Sequence, residues 1–173
     1  MLNEAARQKA RTLLFQDVQI TFNKDYLKDY RIELTKDRQG FDCEIILIKN
    51  ITQPMWTKIT IEMRLKKDNR YKSIFSYEFN VCDFLGFTGS SSSTNMIILW
   101  IQNILKYSKL PKSCPILTGT YGWDHFKVER NSIPSFAMTG IYRINVTNYL
   151  KTNSGRLPMS DTTLRAAIRF KTF

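Results

Sequence analysis

Over most of its length the chain alternates apolar and polar residues in steps of two. From Thr57 to Leu65, Ile59, Ile61, Met63 and Leu65 stand against Lys58, Thr60, Glu62 and Arg64. A period of two is that of a strand with one face buried and the other in water. The same alternation recurs at Asp17–Phe22 (Val18, Ile20, Phe22), Ser73–Val81 (Phe75, Tyr77, Phe79), Gly140–Asn148 (Tyr142, Ile144, Val146) and Thr163–Phe170 (Leu164, Ala166, Ile168). Tyr30–Thr35 and Phe41–Ile48 flank a Lys-Asp-Arg-Gln-Gly segment whose Gly40 suits a turn with positive φ, so the two read as a hairpin. Thr120–Trp123 and Phe126–Arg130 are shorter strand segments, and Lys151–Ser160 reads as a loop.

The period changes after Cys82. Gly86–Ser93 is a Gly- and Ser-rich linker, and Thr94 or Asn95 can cap a helix that carries Ile97, Trp100, Ile101, Ile104 and Leu105 on one face. That helix stops before Leu110-Pro111, because proline disfavours helical geometry in the residue before it. Residues 3–14 predict a short uncapped helix, expected as an appendage spanning residues 1–15. With about eight strands and one α-helix, residues 16–173 predict a single all-β domain. Its expected architecture is an antiparallel two-sheet β-sandwich or β-cup, immunoglobulin-like in its layering.

Charge widens the choice of partners. Lys and Arg number 26 against 15 Asp and Glu, a formal net charge of +11, which favours nucleic acid, an anionic membrane or an anionic ligand. The densest cluster, Arg64–Lys72, falls on a hairpin tip and forms no tract able to follow a phosphate backbone, so nucleic acid is not the expected partner.

Candidate catalytic chemistry is sparse. His125 is the single histidine, and no Gly-x-Ser-x-Gly, Walker, Gly-x-Gly-x-x-Gly or His-Glu-x-x-His motif occurs. Cys43, Cys82, Cys114 and His125 lack the close ligand pairs of a zinc site. No catalytic residue, metal or cofactor is expected, and the chain does not read as an enzyme. The three cysteines suit one disulfide and one free thiol. Asn50 and Asn145 head Asn-x-Thr sequons and are candidate glycosylation acceptors, relevant only to a chain in the secretory pathway. The first fifteen residues show no apolar core of a signal peptide, and no apolar run is long enough to span a membrane. Trp56, Trp123, Phe136 and Met138 fall in predicted loops, where bulky apolar side chains usually have a partner or a ligand.

One group of motifs carries a resemblance. Val81-Cys82-Asp83, Leu110-Pro111, Cys114-Pro115, Gly119-Thr120-Tyr121, Phe126, Val128, Pro134-Ser135, Thr139-Gly140, Tyr142-Arg143-Ile144 and Gly155-Arg156-Leu157 resemble the ML (lipid-recognition) superfamily. The likeness is to its ganglioside-activator branch and the insect CheB-like chemosensory branch, and it runs from about Thr57 to Phe170. The resemblance implies a β-cup around an apolar cavity that takes acyl chains, with apolar loops at its rim that touch membranes. It places Phe79, Phe84, Trp100, Ile104 and Trp123 in the cavity and Met55, Trp56, Ile133, Phe136 and Met138 on the rim. It pairs Cys82 with Cys114 and leaves Cys43 free. It implies a secreted or luminal protein that binds, transfers or presents a lipid or other hydrophobic ligand without catalysis. The alternative is a chemosensory or receptor-associated interaction module, its partner a receptor or channel, without lipid cargo. A second cysteine pair of that branch is missing here, and Met159 or Ser160 stands at one of its places.

Overall fold

The computed structural model describes residues 10–85, 104–129, 133 and 137–171. Among these, the alternating segments become nine strands. One sheet has the order β1 (Ala10–Phe22), β9 (Gly155–Lys171), β8 (Gly140–Thr152), β4 (Met55–Arg64), β5 (Tyr71–Asn80). The other has the order β2 (Leu27–Leu34), β3 (Gly40–Leu47), β7 (Gly119–Lys127), β6 (Ser108–Lys109). Every strand pairing among the described residues is antiparallel. The two-sheet all-β expectation is met.

Register decides which side chains meet between the sheets. On the larger sheet Phe75 pairs with Ile61, Tyr77 with Ile59 and Phe79 with Thr57. Those three β4 residues pair in turn with Ile144, Val146 and Asn148. Cross-strand partners share a face, so these residues line the interior while Lys58, Thr60 and Glu62 face water. One apolar cluster, at what we call the lower end, joins Tyr26, Leu27 and Leu47 to Leu150 and Met159. A second, at the upper end, packs Leu34, Phe41 and Val128 against Phe15, Leu164 and Ala166.

The two margins of the sandwich differ. At the β1–β2 margin, β1 skips a register step between Phe15 and Asp17. There Phe15 donates its N–H to the Arg38 carbonyl at 2.7 Å, and Arg38 Nη1 returns a bond to Gln16 O at 3.1 Å. The β2–β3 turn is thereby stitched to the edge of the opposite sheet. At the other margin β5 lies opposite β6, which is two residues long. Among the described residues, one side of the sandwich is closed and the other is only partly faced by sheet.

Several expectations are corrected. Residues 10–14, expected in a helix, extend β1, and Phe15 is 3% exposed, so the boundary drawn after residue 15 falls inside a strand. The charged pattern of that stretch reflects an edge strand with a wet outer face. Lys151–Ser160 is no loop, because β8 and β9 pair, with one register step at Met159, down to a tight turn at Thr152–Gly155, where Gly155 takes the positive φ of 130° that glycine accepts readily. Thr120–Trp123 and Phe126–Arg130 form one strand, β7, running to Lys127. It is interrupted by a bulge in which His125 adopts φ 52° and donates its N–H to Asp42 Oδ1 at 2.7 Å. Most of the predicted 95–107 helix lies outside the described residues, although residues 104–106 are helical.

Candidate functional site

The interior next to the partly faced margin is built from aromatic rings. A period of two sets Phe75, Tyr77 and Phe79 in one row on β5, with ring centroids 6.5 and 5.8 Å apart. Phe84 extends the row, meeting Phe79 edge-on at 4.7 Å. Its place follows from α1 (Val81–Phe84), one helical turn capped by Asn80, whose Oδ1 accepts the Cys82 N–H. So short a helix has little stability of its own. The Cys82–Cys114 disulfide, with a Cα–Cα distance of 5.7 Å, fastens it to the segment leading into β7. The expected pairing is present, Cys43 is the free cysteine, and two members of any Cys₃His site are thereby consumed. Phe75, Tyr77 and Phe79 face inward yet stay half-buried.

At the upper end the same inner face opens into a hollow of about 830 Å³. Met63 near the end of β4, Leu65 just beyond it, Ile141 from β8 and Phe170 from β9 supply its apolar walls. Arg11, Arg64 and Lys66 stand around it. Met138, which is 60% exposed, forms a lip whose carbonyl accepts the Tyr142 hydroxyl at 2.6 Å. A smaller hollow of about 160 Å³, lined in part by Leu13, Val128 and Ile133, lies beside it and shares Arg11.

A polar belt crosses the interior between the two apolar clusters. Thr57 donates to Asn148 Oδ1 at 2.6 Å and Asn148 Nδ2 to Ser160 Oγ at 2.9 Å. Thr162 donates to the Tyr30 hydroxyl oxygen at 3.0 Å. Thr57, Ser160 and Thr162 are buried, and such groups need these bonds to offset lost hydration. Burial pushes the Tyr30 hydroxyl up from 10.0 to about 12, outweighing the Thr162 bond. Burial, aided by the charge of Glu44, pushes the Cys43 thiol up from 9.0 to about 12. Neither group is disposed to ionise near neutrality.

The expected site residues separate into groups. Phe79 and Phe84 are in contact. Trp123, on β7, donates its indole N–H to the Ile104 carbonyl at 2.8 Å, so these two are also joined. Trp100 and Phe136 lie outside the described residues. Met138 borders the large hollow and Ile133 the small one. Met55 and Trp56 sit at the opposite end of β4, where Met55 packs on the lower core. Trp56 pairs with Tyr149 on the outer face, with Lys151 Nζ 3.3 Å from its ring centre. Met55 and Trp56 begin the ten-residue β4, whose other end reaches the upper hollow, so the described members of the expected rim do not form one rim. Met63, Leu65, Ile141 and Phe170 were missed as site residues: alternation marks Met63, Leu65 and Phe170 as inward-facing without showing that a hollow opens beside them, and Ile141, out of step with Tyr142 and Ile144, carries no such mark.

No curated protein matches the chain. The aromatic row, both bonded cysteines, Met63, Leu65 and the Met138 lip all lie between Lys58 and Ile144. That span, residues 58–144, matches a family described as a protein of unknown function (DUF1091), and since it covers half of the 173 residues, the chain belongs to that family.

Proposed function

We propose that the protein is a secreted or luminal, non-enzymatic carrier that binds an amphiphile, its acyl part against the inner face of the larger sheet and its polar end toward the cationic mouth. The observation that carries this reading is the hollow of about 830 Å³, within the usual size range of small-ligand pockets. Met63, Leu65, Ile141 and Phe170 offer apolar contact, while Arg64 and Lys66 favour an anionic headgroup. The half-buried row from Phe75 to Phe84 supplies further apolar surface along the same face. The likeness to the ML superfamily agrees with this reading, as does the Cys82–Cys114 disulfide, since such bonds persist in oxidising compartments.

Native mass spectrometry of the folded protein after exposure to a lipid extract tests the proposal. The expected result is a retained lipid in the intact protein and reduced retention in Met138→Asp, a lip residue too exposed for its loss to unfold the sandwich. Absence of retained lipid from any extract, with the disulfide formed, overturns it. The exposure of Met138 also favours a second reading, an interaction module whose lip binds a receptor or channel. That reading gains if Met138→Asp abolishes capture of a membrane receptor by a protein that retains no lipid.

A further inference from the structure

We propose that Asn50 is the acceptor of an N-linked oligosaccharide and that Asn145 is not, an assignment that rests on the luminal location proposed above. Both residues head an Asn-x-Thr sequon, so the motif alone does not separate them. Their surroundings do. Asn50 is exposed just beyond the end of β3, and its Oδ1 accepts the Thr118 N–H at 2.8 Å. This holds the amide in place and leaves Nδ2, the reacting atom, without a hydrogen-bond partner among the described residues. Thr52 is exposed as well. Between them Ile51 is buried and bridged in both directions to Ile116, at 2.8 and 3.1 Å. The acceptor and its threonine thus stand in water on a fixed base.

Asn145 is placed differently, in the middle of β8 with β4 and β9 on either side. Its Nδ2 donates to Glu62 Oε2 at 2.7 Å and its Oδ1 accepts the Thr163 hydroxyl at 3.1 Å. Glu62 is held in turn by Arg143 Nε at 2.6 Å, which keeps its carboxyl below the ordinary range. The sequon hydroxyl of Thr147 donates to Asp161 at 2.7 Å. Every polar group of this sequon side chain pair is committed to a neighbouring strand, so folding withdraws it from modification.

A second feature favours a sugar at Asn50. Ile48, 51% exposed, precedes it by two residues, and Leu117, 56% exposed, precedes the Thr118 that binds its amide. The apolar face of a first N-acetylglucosamine suits such a neighbourhood, and it would cover side chains that otherwise meet water. The site lies at the lower end, leaving the upper hollow clear. In the transfer, Asn50 Nδ2 forms a bond to C1 of the reducing-end sugar of a polyprenyl-diphosphate-linked oligosaccharide. The C1–O bond to phosphate breaks, one Nδ2 proton is lost, the polyprenyl diphosphate leaves, and no atom is oxidised or reduced.

The full chain, directed into the lumen of eukaryotic cells by a cleavable secretion signal, tests the assignment by gel mobility before and after peptide-N-glycosidase treatment. One glycan is expected, absent in Asn50→Gln and unchanged in Asn145→Gln. A glycan that persists in Asn50→Gln overturns it, as does an unglycosylated secreted product whose Cys82–Cys114 bond has formed. Lipid retention is measured separately on the same material, so failure of the carrier reading and failure of this one are told apart.

Discussion

Cys43 sits on the inner face of β3, paired across strands with Ile32 and Trp123 and 6% exposed. Its thiol and the Tyr30 hydroxyl keep their protons in the folded chain to about pH 12, whereas their ordinary values are 9.0 and 10.0. Above the ordinary values the unfolded chain releases these protons while the folded chain retains them. The stability they contribute is therefore complete below about pH 9 and is lost as the pH rises toward about 12. Urea unfolding midpoints should stay level from about pH 7 to pH 9 and then fall, and the fall should be shallower in Cys43→Ala, where only Tyr30 remains. An equally steep fall in that variant, or ready labelling of the native thiol by a disulfide reagent at about pH 8, refutes the account. None of this was visible in the sequence. Alternation placed Cys43 in a strand and the cysteine count left one thiol free, but burial depth and the nearby Tyr30 depend on which strands face each other.

Among the elements, α1 depends most on its surroundings. Four residues make one turn, and what holds them is the Asn80 cap, the Phe79–Phe84 contact and the disulfide. The cysteines are 32 residues apart in sequence, and closing such a loop in the unfolded chain corresponds to roughly 3 to 4 kcal/mol. Cys82→Ala with Cys114→Ala should lower denaturant-derived stability by about that amount while the β1–β9–β8–β4 core persists, and a loss under about 1 kcal/mol would show the bond to be incidental. Strands with clean alternation, β4 and β5 above all, were legible because each step of two carries its own evidence of burial. The β8–β9 turn was less so, since Pro158, Ser160 and a run of polar residues imitate a loop. Pairing to Tyr149 and Leu150, 2% and 0% exposed, overrides that local composition. Met159, which with Ser160 is a candidate for the place where the resemblance expects a cysteine, is 2% exposed and packs in the lower core. The hollow was legible only in its chemistry, because how the strand ends of two sheets meet leaves no pattern in a sequence.

For the molecule as a whole, the position of the positive charge matters more than its total. The +11 excess is not confined to one face, yet the β4–β5 connection brings Arg64 and Lys66 beside the hollow and the exposed Met138 and Phe170, with the exposed Lys67 next in the turn. Asp68, within that turn, is taken by Arg70. On the carrier reading this end meets an anionic bilayer while the lower end does not, and each surface lysine near such a membrane contributes about 1 kcal/mol. Lys66→Ala with Lys67→Ala should therefore weaken partitioning to phosphatidylserine-containing vesicles by roughly 2 kcal/mol, about thirtyfold, with the whole effect shrinking as salt is raised. Lys24→Ala with Lys28→Ala removes the same net charge at the lower end, where both lysines are exposed, and should leave partitioning nearly unchanged. Equal losses from the two pairs would mean that the membrane senses total charge alone, and the upper end would then have no claim to be the docking face. A loss confined to the upper pair, together with reduced partitioning of Met138→Asp in high salt, separates the apolar contribution of the lip from the attraction that brings it to the surface, because salt screens only the second.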